Sequence, residues 1–172
     1  DLDGDNLLDV IVLNNTTGLV TVLKNYSSVN SISLGNRLDF PVNAGPGTIA
    51  TGDFDLDGRT DIAVGYYAGS VVSVLRNTSS LNYMSFADKI DFRGENGPLH
   101  ISIVDIDGDG KTDISAGSYT TNNFYCLRNT STVGSITFAG AVTVATSGTV
   151  NSLEWADCDN DGKPDASTSQ AN

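Results

Sequence analysis

Apolar and polar residues alternate in short runs along this chain, and the runs return in the same order at a constant distance. A run VIVL starts at Val10, IAVG at Ile62 and ISAG at Ile114. VTVLKN, VSVLRN and FYCLRN follow, ending at Asn25, Asn77 and Asn129. SISL, YMSF and SITF come next, with Leu34, Phe86 and Phe138 in equivalent places. Residues 48–52, 100–104 and 152–156 alternate again, where Ile49, Ile101 and Leu153 match, as do Thr51, Ile103 and Trp155. Period-2 alternation in short runs predicts β-strands, and the Gly, Asn and Ser between them predict turns. The period is 52 residues: repeats 1–52, 53–104 and 105–156 align without a gap, and 157–172 opens a fourth.

Four short strands per repeat make a small sheet that cannot bury both faces by itself, so copies must stack face to face. The expected architecture is all-β, with four-stranded antiparallel blades of the β-propeller kind. A β-sandwich would not repeat at this period with one loop per unit, and a β-solenoid needs a shorter period. The turn positions predict two complete blades, 45–96 and 97–147, three strands before them and a hairpin after, or about 13 strands. A closed propeller needs roughly four to eight blades. The single array 1–172 is therefore expected to be part of a longer chain, its end blades covered by further repeats or by neighbouring copies.

Composition sharpens this picture where charge is concerned. The formal net charge is −12, which argues against nucleic acid and anionic membranes as partners. All the acidic residues except Asp39, Asp88, Asp91, Glu95 and Glu154 fall in four loops, DLDGDNLLD, DFDLDGRTD, DIDGDGKTD and DCDNDGKPD. Acidity gathered in four places reads as metal ligation rather than as a solvating tail. No hydrophobic stretch is long enough to insert in a membrane.

Each loop places aspartates at its first, third, fifth and ninth positions. Alternate residues of a tight loop can point several carboxylates inward, which suits a hard cation taking six to eight oxygens. The ligand sets are Asp1, Asp3, Asp5 and Asp9; Asp53, Asp55, Asp57 and Asp61; Asp105, Asp107, Asp109 and Asp113; and Asp157, Asp159, Asp161 and Asp165. The seventh residues, Leu7, Arg59, Lys111 and Lys163, would each add a backbone carbonyl. The sixth residue needs a left-handed turn, supplied by Gly58, Gly110 and Gly162 and, in the first loop, by Asn6. Four calcium ions are expected. Zinc is disfavoured, because the loops hold no His and a single Cys. Magnesium prefers fewer protein ligands. The twelfth positions, Val12, Val64, Ala116 and Thr168, lack the Glu of an EF-hand, and the flanks are strands.

The D-x-D-x-D-G-x-x-D loop, followed by a short β segment and then V-x-V-L-x-N, resembles the FG-GAP/VCBS repeats of integrin-like β-propellers over essentially the whole chain. The resemblance implies a calcium loop between the first two strands of each blade, opposite the usual ligand surface, with mainly structural ions. It implies an extracellular or cell-surface setting and a role in structure, adhesion or display of a protein or glycan ligand. Two further settings are a non-catalytic propeller domain of a carbohydrate-active enzyme or lectin, and a subunit of a self-assembling surface filament.

No motif for catalysis stands out, and the chain is not expected to be an enzyme. His100 aligns with Thr48 and Ser152, so the repeat does not require it. Trp155 is expected in the core, whereas Tyr66, Tyr67, Tyr119 and Tyr125 are candidates for a binding surface. Cys126 and Cys158 occupy apolar positions and are expected to be buried thiols. Asn25, Asn77 and Asn129 open glycosylation-type tripeptides in register, as Asn14 and Asn15 do nearby. Turn formation is the competing role for all of them.

Overall fold

A computed structural model describes residues 1–171. Thirteen strands form four antiparallel sheets among these residues. The first sheet contains β1 (Val10–Asn14), β2 (Leu19–Asn25) and β3 (Leu34–Pro41). The second runs β4 (Pro46–Gly52), β5 (Asp61–Tyr66), β6 (Val71–Leu75) and β7 (Ile90–Arg93). The third repeats this order with β8 (Pro98–Val104), β9 (Asp113–Ser118), β10 (Asn123–Leu127) and β11 (Val142–Ala145). The hairpin β12 (Thr149–Ala156) and β13 (Asp165–Ala171) ends the series. The inner strands β4, β8 and β12 adjoin one another in turn, so the sheets fan out as propeller-like blades without closing into a ring. Even irregularities repeat: each inner strand carries a register shift at its start, at Pro46/Thr48, Pro98/His100 and Val150/Ser152.

Stacking of the sheets makes the core. Ile62, Val64, Tyr66, Leu75 and Met84 of the second blade pack on Leu2, Val20 and Val22 of the first. The opposite face of the second blade, with Phe54, Ala63, Val72 and Val74, meets Ile114, Ala116, Leu127 and Ile136 of the third. β5 and β9 are thus buried on both faces. Blade-to-blade approach is close enough to require glycine at equivalent places. A Cβ on Gly65 would lie 2.2 Å from the Pro98 carbonyl oxygen, and one on Gly117 would lie 2.7 Å from Val150. The face that Ile62 and Val64 bury is bare in the first blade, where Val10 and Val12 are exposed.

The SISL, YMSF and SITF segments depart from the sequence expectation. Only Leu34 begins a strand there, while Phe86 and Phe138 make single bridges to Asn77 and Asn129. Residues 77–86 instead fold into a tight loop, with Thr78 N–H donating to Ser85 O at 2.9 Å and Ser80 paired to Tyr83. The outer strands lie further on, at β7 and β11, mostly exposed to solvent. An edge strand with one dry contact, such as Phe92 in β7, leaves little periodic signal to read.

The cysteines also divide. Cys126 is half-buried beside Phe124 and Trp155, its thiol pushed up to about 11 by burial, with the Asp113 charge adding to it. Cys158 is exposed, which corrects its assignment to the core. The equivalent Leu2 and Phe54 are buried under the following blade, and no blade follows β13 among the described residues.

Candidate metal centres

All four acidic loops adopt one local fold, built from hydrogen bonds between carboxylates and backbone N–H groups. The first aspartate reaches across the loop. Asp105 accepts from Gly108 at 2.8 Å, Asp109 at 3.2 Å and Gly110 at 2.8 Å. Asp1 accepts from the same three positions, and Asp53 and Asp157 accept from the fifth and sixth residues of their loops. The fifth aspartate holds the seventh residue: Leu7, Arg59, Lys111 and Lys163 donate their N–H to Asp5, Asp57, Asp109 and Asp161 at 2.8–2.9 Å. The ninth aspartate ties the loop to its blade. Asp61 accepts from Phe54 N at 3.0 Å and from Asn77 N at 2.7 Å. Asp113 accepts equivalently from Ile106 and Asn129, Asp9 from Leu2 and Asn25, and Asp165 from Cys158.

The sixth residue is left-handed in every loop, with φ of 69° at Asn6, 83° at Gly58 and Gly110, and 84° at Gly162. The fourth residue is left-handed too, which the sequence pattern did not reveal, because Leu56 stands there (φ 58°) alongside Gly4, Gly108 and Asn160. Leu56 is half exposed, so its side chain gains little from the position. Leu56→Gly is expected to raise stability by about 1 kcal/mol in thermal unfolding. An unchanged or lowered melting temperature would show that the leucine packs usefully.

In the first two loops the carboxylates that converge are Asp1, Asp3 and Asp5, and Asp53, Asp55 and Asp57. In the last two they are Asp105, Asp107 and Asp113, and Asp157, Asp159 and Asp165. One oxygen from each member of a trio lies within 4.8 Å of the others. Asp9, Asp61, Asp109 and Asp161 complete the loops from outside these trios. Burial, opposed by its two backbone donors and reinforced by Asp55 and Asp57, raises the Asp61 carboxyl to about 6. Asp113 is raised for the same reasons, with Asp107 and Asp109 as its neighbours. Asp3 Oδ1 is buried and has no hydrogen-bond partner. Clustered, partly desolvated carboxylates with an orphaned oxygen suit a hard divalent cation held by oxygens.

Loops lie between the first and second strands of the blades, joining β4 to β5, β8 to β9 and β12 to β13, with the first loop leading into β1. The model of the FG-GAP-like repeat matches residues 1–64, 53–116 and 105–166, each match starting on the first aspartate of one loop and running past the next loop. The chain belongs to the FG-GAP-like repeat family. A comparison with curated proteins finds no match. FG-GAP-like repeats are generally structural rather than catalytic. No helix among the described residues is long and apolar enough to cross a membrane.

Two features of these FG-GAP-like repeats escaped the sequence reading. Asn77 and Asn129 are fully buried and serve as clamps between blades. The Asn77 amide donates to Thr60 O of its own loop at 2.9 Å and to Leu2 O of the preceding loop at 2.8 Å. Asn129 does the same with Thr112 and Phe54. Buried amides spent in this way are closed to glycosylation in the folded chain. The second feature is a basic residue just before each such asparagine, facing the third and fifth aspartates. Lys24 pairs with Asp3 and Asp5, Arg76 with Asp55 and Asp57, and Arg128 with Asp107 and Asp109. The repeated K/R-N dipeptide was visible in the sequence, but its direction was not.

The aromatic candidates separate as well. Tyr66 and Tyr125 are core residues, whereas Tyr67 and Tyr119, equivalent to each other, are exposed. Trp155 packs edge-on to Phe124 and donates its indole N–H to Ser115 Oγ at 2.7 Å. His100 Nδ1 accepts from Leu153 N at 3.3 Å.

Proposed function

We propose that this chain is a calcium-stabilised propeller-type repeat segment of an extracellular or cell-surface protein, serving structure, adhesion or ligand display. The observation that carries this reading is the recurrence of a carboxylate trio, with oxygens within 4.8 Å, at the same joint of every blade. Such a trio in one loop could reflect turn chemistry; one in each of four equally spaced loops supports a common use. Bound calcium would tie the inner strand to the second strand and relieve repulsion among the aspartates. The residues to hold it are the first, third, fifth and ninth aspartates, with the carbonyls of Leu7, Arg59, Lys111 and Lys163. Further repeats or neighbouring copies would cover the bare apolar faces, including Val10 and Val12.

Calcium is expected to raise the melting temperature markedly. Each site filled at a hundredfold excess over its Kd adds about 2.7 kcal/mol. Calorimetric titration of the chelated chain should find at least three sites, and melting with and without chelator should differ. Equal melting under both conditions, or a preference for zinc, would sink the assignment. A glycan-binding role finds support in Tyr67 and Tyr119, exposed at equivalent positions; a glycan array tests it, with loss of signal expected in the double alanine variant.

A further inference from the structure

The four loops share a ligand pattern but differ in the positive charge that faces them. Lys24 is 6% exposed. Its ammonium donates to Asp3 Oδ2, lies 2.8 Å from Asp5 Oδ2, and also donates to Asn82 Oδ1 at 3.2 Å. The Tyr26 ring lies alongside, its centroid 5.5 Å away. The arginines at the equivalent positions stand further off and are more exposed. Arg76 is 3.6 Å from Asp55 and from Asp57, and Arg128 is 3.2 Å from Asp107 and 3.7 Å from Asp109. Arg128 has a side-chain exposure of 54%, against 8% for Lys24. The fourth loop has no ion pair of this kind among the described residues.

We propose that Lys24 is a built-in cation that competes with calcium at the first loop, making it the weakest of the four sites. This rests on the calcium reading given above. A divalent ion seated on Asp1, Asp3 and Asp5 would share with Lys24 the carboxylates of Asp3 and Asp5, whose Oδ2 atoms the ammonium engages, and two cations at that separation repel. Lys24 must withdraw for calcium to enter, giving up its contacts with Asp3, Asp5 and Asn82. In the second loop the half-buried Arg76 stands at longer range and the exposed Arg59 pairs, among the described residues, with Asp57 alone. In the third loop Arg128 is exposed. These guanidinium groups can swing aside into solvent with less loss. The first loop therefore keeps its shape without metal, and the remaining loops depend on metal more heavily.

A calcium titration followed by NMR tests this, because the backbone amides of Asn6, Gly58, Gly110 and Gly162 report one loop each. In the native chain Asn6 should respond last. In Lys24→Met the Asn6 midpoint should fall at least tenfold, with the other three unchanged, and the melting temperature in chelator should drop while that in calcium is kept. Lys24→Arg retains the charge and should leave the Asn6 midpoint within about threefold of native. Should chelated Lys24→Met not fold, its calcium-driven refolding midpoint is compared with that of Lys24→Arg, and a lower value supports the competition. An unchanged or raised Asn6 midpoint in Lys24→Met overturns it, the latter making Lys24 a support for the bound ion. Absence of calcium binding at every loop of the native chain would overturn the calcium reading itself, a separate result.

Discussion

Asp61→Ala is expected to lower the unfolding free energy by about 3–5 kcal/mol in metal-free solution, because it strands two buried N–H donors. The Asp61 carboxylate is fully buried and accepts from Phe54 at 3.0 Å and Asn77 at 2.7 Å. Phe54 lies in the core between the second and third blades, and Asn77 clamps the second blade to the first. The loss therefore spreads to both interfaces. Some relief from removing a charge near Asp55 and Asp57 offsets part of it. Asp61→Asn keeps one acceptor oxygen and should cost about half as much. Asp165→Ala is the natural control, since Asp165 accepts at 3.0 Å from the N–H of Cys158, which is exposed to solvent, and should cost about 1 kcal/mol or less. Urea unfolding in chelator measures all three, and equal losses for Asp61→Ala and Asp165→Ala would refute the account.

Asn129→Ala should be nearly as damaging, at about 2–4 kcal/mol. The amide satisfies two carbonyls, Phe54 O and Thr112 O, and its Oδ1 accepts from Ser131 N at 2.8 Å. Alanine leaves both carbonyls short of a partner, the Phe54 carbonyl in a buried setting and the Thr112 carbonyl in a half-buried one. Asn25 holds the same place in the first blade but is only half-buried, bonding Leu8 O and Ser27 N. Asn25→Ala should cost about 1 kcal/mol. The difference between the two variants, read by denaturant unfolding, measures the clamp between blades. Similar losses at both positions would assign the asparagine to its own turn alone.

Local features of this protein were legible in its sequence. Alternating runs at a fixed period located the first three strands of each full blade, and the spacing of aspartates located the four loops. Asn6 could replace glycine because an amide side chain tolerates the left-handed turn found there. These are short-range matters, settled by sterics and by hydrogen bonds within a few residues. The outer strands were not legible, since an exposed edge carries little periodicity.

Tertiary structure decided what the repeated positions do. Leu2, Phe54 and Cys158 are equivalent in sequence, yet the first two are buried and the last is exposed. Asn77 and Asn129 became clamps through partners 75 residues away, and Asp55 accepts from Gly134 N, 79 residues on. Lys24, Arg76 and Arg128 share a register but not a degree of burial. The physical reason is that a residue's neighbours in a stacked array come from the next blade. A repeat can set the direction of a side chain, but only stacking determines what that side chain meets and how much water remains around it.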